Sequence, residues 1–96
     1  VSNVGRFKHL RSFTALAEEV WHINDRIITG DYARAKFAIP HVERIIREYS
    51  ELMTKDGATQ ISIKPYIAAG DAIGLCWSYN MDDCQLQGSF VPRRQR

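Results

Sequence analysis

Phe13, Leu16, Val20, Ile23 and Ile27 recur at alternating steps of three and four residues. That spacing places all five on one side of an α-helix and on no single side of a strand. Leu10, Ala17, Trp21 and Ile28 widen the apolar side, and Arg11, Glu18, Glu19, Asp25 and Arg26 occupy the opposite one. A first amphipathic helix is therefore expected over about residues 6–28, with Ser2 or Asn3 near its start as a candidate cap. Gly30 is the natural stop, because glycine adopts the left-handed conformation just past a helix end without steric cost.

A second stripe follows at once: Ala35, Ile39, Val42, Ile45, Ile46, Tyr49, Leu52 and Met53. Its polar side carries the pairs Glu43 with Arg47, Arg44 with Glu48, Arg47 with Glu51 and Glu51 with Lys55, each four residues apart and so neighbours on a solvated helix face. Asp31 is placed to cap this helix, expected over about 32–55, and Gly57 to end it. Pro40 lies inside the span, where it removes a helical hydrogen bond and clashes with the preceding turn. A kink at Pro40 keeps both halves of the stripe in phase, and a restart with proline in the first turn is the alternative.

Beyond Gly57 two periodicities compete. Gln60-Ile61-Ser62-Ile63-Lys64 alternates like a strand up to Pro65, whereas Tyr66, Ala69, Ile73 and Trp77 suit a third helix opened by that proline. Gly70 and Gly74 count against the helix at about 1 kcal/mol each relative to alanine. Cys84 to Val91 alternates weakly and fits an extended segment. The expected architecture is mainly α: an antiparallel helical hairpin, closing into a small helical bundle with a shorter third helix or mixed element over about 60–80. A single helical domain then spans residues 1–92, with 93–96 a disordered basic tail.

Composition bounds what such a chain does. Its 96 residues hold one core and no second domain, and 45% hydrophobic with 25% charged residues is the balance of a globular protein. No stretch approaches the roughly eighteen apolar residues that span a bilayer. The net charge of +2 rests on Arg93, Arg94 and Arg96, without which basic and acidic groups are nearly balanced. A nucleic-acid-binding role would therefore depend on a split basic patch of Arg6, Lys8, Arg11, Arg93, Arg94 and Arg96, and not on a basic face of the body. Two cysteines, Cys76 and Cys84, fit neither a redox nor a zinc spacing, and a reducing, cytoplasmic setting is expected.

No motif for catalysis emerges. His9, His22 and His41 lack metal-ligand spacing, and the expectation for Cys76, between Leu75 and Trp77, is burial as a small apolar residue. Asp82 and Asp83 form a loop more simply than a catalytic pair, and the glycines are too scattered for a phosphate loop. Neither metal nor cofactor is expected, and the chain is not expected to be an enzyme. Gly70 and Gly74, four residues apart, would give a third helix a strip for close backbone approach. With Tyr66, Trp77 and Tyr79 they form the expected partner-binding set. The function expected is that of a small protein-binding module, an adaptor, regulator or inhibitor of a larger protein, with homodimerisation through the first helix as a further expectation.

Overall fold

The structure, a computed structural model, describes residues 10–93. Two helices, α1 (Arg11–Ile28) and α2 (Ile39–Lys55), precede three strands, β1 (Thr59–Ala68), β2 (Ala72–Met81) and β3 (Cys84–Phe90). The strands form an antiparallel sheet in the order β1-β2-β3, and both helices pack on one of its faces. The fold is α+β. The mainly α, helical-bundle expectation is overturned over residues 60–80, where a β-hairpin stands in place of a third helix, and the single domain is not a helical one.

Both helices end as their glycines predict. After α1 the Gly30 N–H reaches the Ile27 carbonyl (3.2 Å) and the Asp31 N–H that of Arg26 (2.8 Å), around Gly30 at φ +95°. After α2 the Gly57 N–H meets Thr54 (3.0 Å) and the Ala58 N–H meets Met53 (3.0 Å), with Gly57 at φ +105°. The same paired closure satisfies the last carbonyls of each helix.

The second helix starts later than its stripe suggests. Residues 32–38 make a connection containing a short 3₁₀ turn, Ala35–Phe37, and α2 opens at Ile39 with Pro40 in its first turn. Proline costs nothing there, because its missing N–H has no helical acceptor. The helix restarts; it does not kink. Asp31 pairs with Arg26 at 3.6 Å and caps no helix.

The sheet's inner face carries Ile63, Ile73, Leu75 and Tyr79, all buried with Phe13, Leu16, Val20 and Ile23 of α1 and Val42, Ile45, Ile46 and Met53 of α2. Ile73, Leu75, Trp77, Tyr79 and Met81 alternate with Ala72, Gly74, Cys76, Ser78 and Asn80, so one side of β2 is apolar and the other small or polar. Pro65 belongs to β1, an edge strand, where a proline need break no ladder bond. Phe13, Leu16, Val20 and Ile23 of the α1 stripe are thus covered within the chain itself.

Candidate interaction surfaces

Three attachments set the frame. The Ser12 hydroxyl donates to Asp56 Oδ2 (3.0 Å), tying the start of α1 to the end of α2. Near the other end of α1 the buried Asn24 donates to the carbonyls of Ile73 (3.0 Å) and Pro92 and accepts the Ile73 N–H (2.8 Å). The carboxamide thus acts as a piece of strand, joining α1 to β2 and to the segment after β3. Pro92, the last residue before the segment expected to be a disordered tail, is buried. The third attachment is Asp71, in the turn between β1 and β2. Its carboxylate accepts from the Arg34 guanidinium (3.2 Å) and from the Ala35 N–H (3.4 Å), and so holds the 3₁₀ turn.

These ties bring the end of α1, the 3₁₀ turn and the tip of the β1–β2 hairpin together. Large apolar side chains remain outside here: Ile28 is 74% exposed, Phe37 59% and Ile67 47%. Charged groups border them. Arg26 lies over the Tyr32 ring at 5.1 Å and Lys36 over the Phe37 ring at 5.3 Å, while Arg34 is paired with Asp71. Exposed apolar side chains interspersed with charged ones are common in protein contacts.

The five residues expected to bind a partner do not share one surface. Tyr66 and Gly74 face each other across β1 and β2 on the outer side of the sheet. A Cβ built on Gly74 would lie 2.3 Å from Tyr66 Cζ, so the bare position is what lets the ring lie across the strand. Gly74 thus serves not the close backbone approach expected of a third helix but the packing of a side chain on a strand. Trp77 and Tyr79 are on the inner side, where Phe13 meets Trp77 at 4.8 Å, Tyr79 at 5.6 Å and Phe90 at 6.2 Å between ring centroids. Gly70 sits in the hairpin turn at φ +81°.

Of the expected split basic patch, Arg11 and Arg93 lie among the described residues. Arg11 opens α1, whereas Arg93 follows Pro92 beside Asn24, near the other end of that helix. Arg6, Lys8, Arg94 and Arg96 lie outside the described residues, as does His9. His22 stacks on Trp21 at 5.1 Å, and His41 Nδ1 meets the Tyr32 hydroxyl at 3.1 Å. Cys76 and Cys84 are both exposed free thiols, which corrects the expected burial of Cys76: it stands on the outer side of β2.

Sequence reasoning missed Asn24 and the two sheet edges. An asparagine inside an amphipathic helix carries no pattern of its own, although its place one residue after Ile23, at the border of the stripe, is a signal that it turns inward. The edges differ from one another. β1 carries Lys64, Pro65 and a register shift between Thr59 and Ser62, with Gln60 at φ +51°, all features that discourage strand addition. β3, Cys84-Gln85-Leu86-Gln87-Gly88-Ser89-Phe90, has neither charge nor proline and pairs with β2 in unbroken register. Beside it an apolar groove of about 250 Å³ runs between α1 and the sheet, lined by Phe13, Thr14, Ala17, Trp77 and Phe90.

Among the described residues the two resolved shifts in acidity belong to Tyr49 and Tyr79. Burial raises Tyr49, and Glu19, Glu48 and Glu18 raise it further; burial also raises Tyr79, partly offset by a hydrogen bond with the Leu10 backbone. Both move away from the range in which a phenol would act as a base or nucleophile. Among the described residues no helix is long and apolar enough to cross a membrane. Comparison with protein-family models, curated proteins and solved structures finds nothing that matches this chain.

Proposed function

We propose that this chain is a small protein-binding module, an adaptor, regulator or inhibitor of a larger protein, that works without catalysis and without a cofactor. The observation that carries the proposal is the exposed set Ile28, Phe37 and Ile67, gathered at one end of the domain by the Asp71 and Asn24 attachments. Full burial of a wholly exposed side chain of this size is worth about 1.5 to 3 kcal/mol, and the exposed fraction of each, largest at Ile28, is what a partner of apolar surface would recover. Because the backbone there is already tied down, little ordering is left for binding to oppose. A cytoplasmic setting fits the two exposed, unpaired thiols, which an oxidising compartment would tend to link or modify. Nucleic acid is the weaker alternative, because Arg11 and Arg93 are held apart.

The test replaces Phe37 and Ile67 together by glutamate. Immobilised wild-type and variant chains are offered the same lysate, and the retained protein is identified and then titrated against each. Retention should fall at least about tenfold, the equivalent of 1.4 kcal/mol, while the melting temperature stays within a few degrees. Equal retention by both chains would remove this end of the molecule from the contact. Binding that collapses with added salt in both chains would favour the nucleic-acid alternative.

A further inference from the structure

We infer that the chain forms a two-fold dimer in which β3 pairs antiparallel with β3 of a second copy, making one continuous six-stranded sheet. This interface is separate from the apolar end of the domain and stands whether or not that end binds a protein. Four features point to a second copy as the occupant of the β3 edge. The first is the contrast between the edges: β1 is guarded by Lys64, Pro65 and a bulge, whereas seven residues of β3 present an open and uncharged ladder. An edge left open in this way is a template for another strand.

The second is self-complementarity. With full overlap of Cys84–Phe90 the two-fold axis passes through Gln87. Gln85 then faces Ser89, Leu86 faces Gly88 and Cys84 faces Phe90, so no like charges meet across the pair. The second copy's Leu86 falls beside the bare Gly88, on the side of the sheet that faces the groove of Phe13, Thr14, Ala17 and Trp77.

Charge at the strand ends is the third. The turn before β3 is Asp82-Asp83, and the segment after it carries Arg93. The chain after β3 keeps the line of the strand, since Asn24 binds Ile73 and Pro92 together. In the antiparallel pair the acidic turn of each copy therefore lies near Arg93 of the other. Parallel pairing would instead set acid beside acid.

The fourth feature is the helix layer. Two β2 strands would stand about 14 Å apart across the joined β3 strands, and because Leu10 and Phe13 lie over Tyr79 and Trp77, level with the axis, the first turns of the two α1 helices would approach each other above the seam. The residues that would face inward there are Thr14 and Ala17, which line the groove beside β3.

Sedimentation equilibrium of the wild-type chain over a broad concentration series should reveal a species of twice the 11.0 kDa chain mass. Gln87 is exposed, so Gln87→Lys and Gln87→Glu should fold, yet each sets like charges against each other at the axis. Dimerisation should weaken at least about fivefold in each variant alone and return when the two are mixed in equal amounts. In a Cys76→Ser/Cys84→Ser background, Gln87→Cys should oxidise to a covalent dimer. A wild-type chain that stays monomeric throughout would overturn the proposal. So would a dimer indifferent to both charge variants, or one whose Gln87→Cys form fails to cross-link.

Discussion

The side chain of Asn24 meets the backbone of Ile73 as a neighbouring strand would, accepting its N–H at 2.8 Å and donating to its carbonyl at 3.0 Å. A helix is thereby stitched into a sheet through one carboxamide, with the Pro92 carbonyl taking the remaining donor proton.

Replacing Asn24 by leucine should be the most damaging single polar substitution in the domain. It leaves the Ile73 N–H and the carbonyls of Ile73 and Pro92 buried without partners, at about 1 to 3 kcal/mol for each unsatisfied group. A loss of roughly 2 to 5 kcal/mol by urea denaturation is expected, allowing for partial relaxation. Asn24→Asp should also destabilise, because a carboxylate cannot donate to either carbonyl. A change below about 0.5 kcal/mol would show that the clamp is dispensable.

Gly74 and Tyr66 should behave as a unit. Gly74→Ala places a methyl group where the Tyr66 ring lies, but that ring is the far end of a flexible side chain and can swing out into solvent. The cost should be modest, about 0.5 to 1 kcal/mol, roughly that of one cross-strand pair. In a Tyr66→Ala background the same substitution should be neutral or slightly stabilising. A double-mutant cycle measures the difference, and strict additivity would mean that the ring does not use the glycine.

Asp71 stands at φ +57° and holds both Arg34 and the Ala35 N–H. Asp71→Asn retains tolerance of that conformation and can still accept from Ala35, so it should change stability by less than about 0.5 kcal/mol. Asp71→Ala loses both properties and should cost about 1 to 2 kcal/mol. Faster amide exchange confined to residues near the 3₁₀ turn would identify the released segment.

Alkaline solution should unfold the domain partly through Tyr79. Burial holds its folded pKa above the ordinary value of 10.0. The stabilisation it lends is therefore complete below about pH 10 and is lost as pH climbs through the folded value. Tyr79→Phe should be less stable at neutral pH, because it gives up the hydrogen bond with the Leu10 backbone, yet show a shallower decline above pH 10. Identical slopes would place the alkaline loss elsewhere. Tyr49, shifted in the same direction, is the next group to substitute.

The helical half of the fold is legible because Phe13 to Ile27 and Val42 to Met53 follow the helical period, and because Gly30 and Gly57 mark where each run ends. The start of α2 is less so, since Ala35 keeps helical phase although Pro40 fixes the restart. Residues 65–80 mislead for a physical reason. Tyr66, Ala69, Ile73 and Trp77 are spaced as a helical stripe, but Ile73, Leu75, Trp77, Tyr79 and Met81 also alternate without a break, and the second pattern is the one the core uses. The two glycines that cost a helix about 2 kcal/mol cost a strand less, where one lies in a turn and the other beneath a ring. Of the candidate sites, the aromatic residues are visible in the sequence but their division between two faces of a sheet is not. Of the split basic patch only Arg11 and Arg93 are among the described residues, and they stand toward opposite ends of α1.

The strand order β1-β2-β3 has a kinetic consequence. Each hairpin closes over a short loop, three residues between Ala68 and Ala72 and two between Met81 and Cys84. The meander can therefore zip early at little loop-closure entropy, as the two helices can pair across their own short link. What joins the halves is remote in the chain, for Asn24 is 49 residues from Ile73 and 68 from Pro92. That latch can engage only after helix and sheet have formed, so substitutions at Asn24 should accelerate unfolding while leaving the refolding rate nearly unchanged.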